Sequence, residues 1–446
     1  MRHTRLTLTA TLIASASITL NAHAGDLLQT YKDALANDAQ FGSARASQLA
    51  GEEKSVQGRA LLLPTVTFSG GKTKTTVVSE PAFGPGGTFS STQNTYSLQL
   101  TQPIFRWGNW QQFEQGRLSV VATDAQFAQA QQDLIVRVSQ AYFDILLAEV
   151  TLRTLQTQKT AIAEQLASAK RNFEVGTSTI TDTHEAQARY DLVVAQEFAG
   201  QGDLEVKRAA LQQIIGKVPG DLVPLRDGVQ VQAPQPARIA EWVSSAEKQN
   251  FGVVASQVQL EIAKHEIART RAGHYPTLDL VASNGRTLTS GTTGGQITTG
   301  TGTVKPTSVG LQWSIPIFNG FAVTSRVREA IALEDKARND LETTRRNAAQ
   351  GARQSYIGVV SGLEQIKAYE AAEISSKSAL ASNKLGYQVG VRINIDVLNA
   401  QQQLSTTYQN LAKARFDTIM AGLRLKSAAG ILKEDDLAEV NALLAH

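Results

Sequence analysis

The residue types that carry most chemistry near neutral pH are sparse in this chain and poorly placed for it. Of six histidines, His3 and His23 lie in the first 24 residues, and His184, His265, His274 and His446 are scattered. None has metal-ligand spacing such as His-Glu-x-x-His, so each reads as a bland surface residue. There is no cysteine, hence neither disulfides nor a lipidated N-terminal Cys. No Gly-x-x-x-x-Gly-Lys loop occurs, so the chain is not expected to bind or hydrolyse ATP, and any energy must come from a partner. Methionine is limited to Met1 and Met420, which argues against handling of a soft metal such as Cu(I). No constellation supports catalysis; the expectation is no enzyme, no cofactor and no metal site. What remains is a set of polar and charged residues beside two turns, Thr181, Asp182, Arg392 and Asp396, and aromatic residues near two strand-to-helix junctions. On the residues alone, the charges are solvated groups around helical turns.

The elements that hold these residues are unusually long. No proline lies between Ile104 and Val218, or after Ile317 to the C-terminus, so nothing forces a helix to break. Trp107 to Val175 and Gly320 to Val389 each read as one helix of roughly 100 Å at 1.5 Å per residue. In the first, Leu134, Val138, Ala141, Ile145, Ala148, Leu152 and Leu155 recur at alternating steps of four and three, the spacing of a supercoiled seam. Leu404, Thr407, Leu411, Ala414, Thr418, Ala421, Leu425 and Ala428 repeat the pattern later. Faces rich in Gln, Lys and Glu are left for water.

The chain is also a duplication with a period of roughly 213 residues, far longer than a solenoid repeat. Leu63-Pro64-Thr65 matches Tyr275-Pro276-Thr277, and Gln102-Pro103-Ile104-Phe105 matches Ile315-Pro316-Ile317-Phe318. Phe173-Glu174-Val175-Gly176, followed by Asp182, matches Tyr387-Gln388-Val389-Gly390, followed by Asp396. Ile215-Gly216 matches Ala429-Gly430. The expected units are a first repeat over 25–216, a Pro-rich connector over 217–238, a second repeat over 239–430 and a tail over 431–446. Each repeat reads as a helix (Leu27 to Leu62, Ile239 to His274), two short strands around a turn-rich loop, the long helix, a turn at Gly176 or Gly390, and a further helix (Asp182 to Ile215, Asp396 to Ala429). The loops are Pro81 to Gly87 and the Gly/Thr-rich run Thr287 to Thr303.

The strands alternate: Tyr96, Leu98 and Leu100 bracket Ser97 and Gln99, and Val309, Leu311, Trp313, Ile315 and Ile317 face away from Gly310, Gln312 and Ser314. A membrane barrel strand needs such faces, lipid outside and water inside, although a soluble sheet shares the pattern. Phe105, Trp107, Trp110, Trp313 and Phe318, with Phe113 and Phe321, cluster where strands meet long helices, as aromatic girdles do at a bilayer interface. Four strands cannot close a barrel, whose smallest kind needs about eight, so copies must pool strands, eight from a dimer or twelve from a trimer.

Arg2 and Arg5, an apolar run from Leu6 to Leu20 and Ala22-His23-Ala24 read as a secretory signal over 1–24, cut after Ala24. Its removal leaves 41 basic against 40 acidic residues, so no nucleic-acid or polyanion partner is implied. Beyond it nothing approaches eighteen consecutive apolar residues; a place in a membrane would have to be taken by β-strands.

With the duplication, Pro-Ile-Phe before each long helix, and the matched segments Phe173-Glu-Val-Gly-Thr-Ser-Thr-Ile-Thr-Asp182 and Tyr387-Gln-Val-Gly-Val-Arg-Ile-Asn-Ile-Asp396, the chain resembles the TolC family of outer-membrane efflux and secretion channels over nearly its whole length. The resemblance implies a mainly α fold with a small β part: long antiparallel coiled-coil helices forming a trimeric α-barrel tunnel, and four strands per chain contributed to a 12-stranded transmembrane β-barrel. It implies a homotrimer in the outer membrane of a Gram-negative bacterium, reaching into the periplasm. There it would act as a passive duct for efflux or type I secretion, with a periplasmic adaptor (membrane fusion) protein and an inner-membrane transporter of RND, ABC or MFS type. The connector and tail would form an equatorial layer, and the turns at Gly176 and Gly390 the periplasmic tip. Carried across, Tyr387 and Arg392 match positions that tie neighbouring helices shut, Thr181 and Asp182 match their partners, and Asp396 matches a ring of carboxylates at the constriction. Asn399 stands where a second acidic ring is expected, implying a less electronegative entrance. An Arg392 to Asp182 pair could pin the tip, because guanidinium and carboxylate make directional, charge-assisted bonds. The rival is a structural or adhesive periplasmic coiled-coil stalk, which explains the heptads but not paired strands capped by aromatics at equivalent places.

Overall fold

A computed structural model describes residues 25–445 except 81, 84–85, 227 and 292–299. The expected signal over 1–24 and His446 lie outside the described residues. The chain runs α1 (Leu27–Asn37), α2 (Ala39–Ala60), β1 (Thr65–Ser79), β2 (Gly87–Phe105), α3 (Trp107–Glu174), α4 (Ile180–Ile215), α5 (Ile239–Gln249), α6 (Phe251–Arg271), a 3-10 turn (Ala272–His274), β3 (Thr277–Gly291), β4 (Gly300–Val304), β5 (Thr307–Ser314), α7 (Ala322–Gln388), α8 (Asn394–Ala428) and α9 (Glu434–Asn441).

The long helices form as the sequence requires. α3 has 68 residues and α7 has 67, each about 100 Å at 1.5 Å per residue. In α3, Leu134, Val138, Ile145, Ala148 and Leu155 of the expected seam are buried, and the seam continues through Gln158, Ile162, Leu166 and Ala169. α3 packs against α4, α7 against α8, and α3 against α8, so the two halves interlock lengthwise.

Each expected first helix is in fact two. Asp38 (ψ 116°) separates α1 from α2, and Asn250 (ψ 127°) separates α5 from α6. Both break the helix by capping the next one: Asp38 Oδ1 accepts from Phe41 N at 2.6 Å, and Asn250 Oδ1 from Gly252 N at 3.0 Å. Short polar side chains compete in this way with the helical backbone.

Asp38 also receives two bonds from Arg137 on α3, both 3.0 Å. Burial would raise its pKa, but Arg137 and the amide of Phe41 outweigh burial and hold it below the usual carboxylate value. Asp38→Ala removes a cap and both of the bonds that Arg137 makes across to α1–α2, an expected loss of about 3 kcal/mol. Because the folded value is depressed, the stabilisation is complete above the unfolded Asp value near ~3.9 and drains away as pH falls through the lower folded value. Thermal melts of parent and Asp38→Asn should therefore differ at pH 7 and converge only once the pH falls below the depressed folded value.

At mid-length, a core of Leu27, Tyr31, Phe41, Tyr142, Phe143, Phe416, Leu432, Leu437 and Leu444 joins α1, α3, α8, α9 and the connector. Tyr142 Oη donates to Val223 O at 2.8 Å and to Gly25 O at 3.2 Å. The connector bridges Gly25 through Leu222 and Leu444 through Leu225.

The strands form one antiparallel sheet in which β1 pairs β2, β2 pairs β3, and β3 pairs β4 and β5. β1 has 15 residues and β2 has 19, longer than the short strands expected. Much of the Gly/Thr run read as a loop is strand, Thr287 to Gly291 in β3 and Gly300 to Val304 in β4. The fourth strand is split at Lys305-Pro306, where proline has no N–H for the ladder. β5 ends at Ser314, so Ile315 and Ile317 are outside the strand face assigned to them; Pro316 cannot extend the ladder.

Candidate functional site

The first candidate site is the two-faced sheet. Register places Val66 opposite Leu100, Leu100 opposite Ala282, and Ala282 opposite Val309. Phe68 pairs with Leu98, Leu280 with Leu311, and Leu278 with Trp313. One face is therefore an apolar band, exposed in the single chain: Phe68 is 70% and Trp313 70% exposed. The other face is hydroxyl-rich, with Ser69 Oγ bonded to Ser97 Oγ at 2.7 Å and Ser283 Oγ to Ser308 Oγ at 2.8 Å. From Tyr96 to Phe105 the band runs about 30 Å along β2, or somewhat over 20 Å along a barrel axis at ~40° tilt, close to the lipid-facing height of a membrane barrel. Phe105, Trp107, Trp110, Trp313 and Phe318 are all exposed at its helix-bearing end. There Arg106 makes two bonds to Asp279, 2.8 and 2.6 Å, tying β2 to β3 where the helices begin.

The second is the pair of tip turns. α3 ends in Gly176 (φ 78°) and α7 in Gly390 (φ 79°), with matching wraps from Thr177 N to Asn172 O at 2.8 Å and from Val391 N to Gly386 O at 2.9 Å. A left-handed residue is needed there, and glycine takes it without steric cost.

The duplicated aspartates then do different work. Asp182 is spent on capping: its Oδ2 accepts from Ser178 Oγ at 2.6 Å, Thr179 Oγ1 at 3.0 Å and Thr179 N at 3.1 Å. The Ser178 hydroxyl is the main reason its pKa falls below the usual carboxylate value. In α8 the capping position is Ile393, which has no side-chain bond to give. Asp396 is thereby left free of capping and lies 3.6 Å from Arg392. The Arg392 to Asp182 pair is not formed within one chain. Thr181 is exposed. Tyr387 Oη accepts from Asn172 Nδ2 at 3.1 Å, joining the ends of α7 and α3. Asn399 Oδ1 accepts from Arg189 Nη2 at 3.1 Å, joining α8 to α4. Arg392 lies over Gly386, whose missing Cβ would stand 2.7 Å from Arg392 Cγ.

Sequence reading missed Asn172, Ser178, Arg189, and Asn394, which is 1% exposed with neither amide atom bonded. Asn172 was within reach, since it immediately precedes the repeated Phe-Glu-Val-Gly segment. The others carry no local signal. Of the histidines, His265 faces Gln111, with Nδ1 2.7 Å from Oε1.

Comparison with known proteins decides the family. Residues 30–217 and 242–431 match the family described as outer membrane efflux protein. The chain belongs to this family, the TolC-like outer membrane efflux proteins. It is 32% identical to the alkaline protease secretion protein AprF of Pseudomonas aeruginosa over 95% of this chain and 88% of that one. It is also 32% identical to the outer membrane protein TolC of Escherichia coli, over 95% of this chain and 86% of that one. Among solved structures, the Campylobacter jejuni CmeC outer membrane channel superposes with a TM-score of 0.79 at 17% identity, covering 94% of this chain and 90% of that one. The expected fold class holds: mainly α, with long antiparallel helices of a tunnel and four strand positions per chain for a shared transmembrane barrel. As an outer membrane efflux protein, the chain sits in the Gram-negative outer membrane and extends into the periplasm.

Proposed function

We propose that three copies assemble into a passive exit duct of a tripartite efflux or type I secretion system. A periplasmic adaptor and an energised inner-membrane transporter recruit it. The observation that carries this reading is that one chain supplies a two-faced sheet and, from its ends at Phe105 and Ser314, two helices of about 100 Å. A stalk would have no use for a lipid-ready band and a hydroxyl-lined opposite face. Phe105, Trp107, Trp110, Trp313 and Phe318 anchor the inner membrane–water interface. Relatives named for protease secretion in Pseudomonas aeruginosa and Dickeya chrysanthemi, and for efflux in Brucella suis, favour a duct whose cargo is set by its transporter. Deleting the gene tests the reading: sensitivity to bile salts and dyes should rise or export of secreted protein should stop, and normal behaviour in both assays would refute it.

At the tip, the helices untwist to open. Tyr387 with Asn172 and Asn399 with Arg189 hold the two hairpins of one chain together. Around a threefold axis the uncapped Asp396 carboxylates form the charged ring, which Arg392 partly neutralises, and mutual repulsion among them opposes full closure. The Arg392–Asp396 pair is exposed, so it contributes at most about 1 kcal/mol. Arg392→Ala trimers in planar bilayers should pass up to about fivefold more current than the parent; no increase would remove Arg392 from the gate.

A further inference from the structure

Beyond Tyr96 the outward face of the sheet changes from apolar to basic. Lys72 and Lys74 on β1 alternate in phase with Val66 and Phe68, and Arg286 on β3 is in phase with Leu278 and Leu280. Lys305, between β4 and β5, is in phase with Val309 and Leu311. Register sets Tyr96 opposite both Gly70 and Arg286, Lys72 opposite Asn94, and Lys74 opposite Thr92. Lys305 follows Val304, which pairs with Thr287, so it stands beside Arg286. The four cations thus lie on the lipid-facing side, Arg286 and Lys305 in the row of Tyr96 at the end of the band and Lys72 and Lys74 in the next two rows, where Asn94, Thr92 and Ser290 share the face with Leu288.

All four are exposed. β1 to β5 contain no glutamate and a single aspartate, Asp279, which is at the opposite end of the sheet and already held by Arg106. Among the described residues none of the four has an ion-pair or hydrogen-bond partner, and the nearest carboxylate in sequence is Glu80 past the end of β1. Four unpaired cations in one belt have no structural use within the chain. Placed where hydrocarbon gives way to headgroups, they suit phosphate, because Lys and Arg make short charge-assisted bonds to it and each basic residue near an anionic membrane surface strengthens binding about fivefold.

We propose that Lys72, Lys74, Arg286 and Lys305 form a collar that binds the phosphate groups of a phosphorylated glycolipid in the outer leaflet. This rests on the barrel reading, in which the hairpin end of the sheet faces outward and the helices face the periplasm. An inward-facing cluster would attract anionic cargo instead, but the alternation that puts Val66, Phe68 and Leu311 toward lipid puts these cations there too.

The test uses the full-length trimer in neutral detergent, with thermal dissociation to monomers followed during titration by diphosphoryl lipid A, dephosphorylated lipid A or inorganic phosphate. Only the diphosphoryl lipid should raise the dissociation temperature, and K72A/K74A/R286A/K305A should need at least about tenfold more of it. The charge-conserving K72R/K74R/R286K/K305R should respond like the parent. If the quadruple alanine variant fails to assemble, K74Q and R286Q singly, each about fivefold weaker, decide the matter. Equal responses to phosphorylated and dephosphorylated lipid, an unaltered alanine or glutamine variant, or an equal response to inorganic phosphate would each overturn the collar. Conductance of the same proteins in neutral-lipid bilayers is read in parallel: it should be unchanged in every variant, and its absence in the parent would sink the barrel reading rather than the collar.

Discussion

Leu100→Arg should lower the stability of the assembled barrel by about 2–4 kcal/mol per chain, while Ser97→Arg, on the opposite face of the same strand, should assemble normally and alter conductance. Leu100 is near the middle of the apolar band, opposite Val66 on one neighbour and Ala282 on the other. A guanidinium there has only hydrocarbon to face and must be buried without a partner or snorkel some distance to reach water. Ser97 points to the hydroxyl-rich face, where Ser69 meets it at 2.7 Å, and three arginines there would narrow and charge a water-filled lumen. Urea titration of folding into lipid vesicles checks the first result, and single-channel current in planar bilayers the second. If the two variants behaved alike, the assignment of faces would be wrong, and with it the barrel.

The second large effect is expected at the equator. Gly430→Ala should destabilise the chain by about 3–5 kcal/mol, enough to prevent accumulation of trimer. Gly430 ends α8 with φ 75°, and an added Cβ would stand 2.1 Å from the carbonyl oxygen of Gln249. Backbone cannot yield as a side-chain tip can, because Gln249 is fixed by the Asn250 break that caps α6. The tip glycines are the control. Gly390 has nearly the same φ, 79°, but nothing within 4 Å of the missing Cβ, so Gly390→Ala costs only the left-handed strain of about 1–2 kcal/mol. Gly216 should fall between, since its added Cβ would meet Asn37 Cβ at 2.9 Å. Thermal unfolding of the three variants in detergent gives the order, and a Gly430 variant as stable as the Gly390 one would show that the contact relaxes freely.

Most of what the chain is could be read from periodicity. Leu134, Val138, Ile145 and Leu155 are buried as their spacing demands, because a seam that recurs every 3.5 residues has only one way to leave water. The strand faces were legible for the same reason at period two. Helix breaks were not: Asn37-Asp38 and Gln249-Asn250 give the same local signal as many mid-helix polar residues, and only the core around Phe41 and the carbonyl of Ala428, to which Asn250 Nδ2 donates at 3.0 Å, fixes them as caps.

The candidate tip divides along the same line. Tyr387, Arg392, Asp396 and Asn399 came from the resemblance to the TolC family, and the repeated local sequence places them at a turn. Their partners Asn172 and Arg189 are 215 and 210 residues away, and no local pattern encodes a contact between hairpins.

The sequence by itself determined the lengths of the two long helices, the two faces of the strands, the duplication and the tip turns, because backbone sterics and amphipathic periods act over a few residues. The repeated aspartates already differ by local sequence: Asp182 caps its helix with Ser178 and Thr179, and Asp396, lacking a capping threonine because Ile393 stands there, is left to Arg392. Equivalent aspartates diverge because an ionised carboxylate goes to whatever donors lie within reach. Tertiary structure alone decided which distant residues reach the turns, Asn172 for Tyr387 and Arg189 for Asn399, because no local pattern encodes a contact between hairpins.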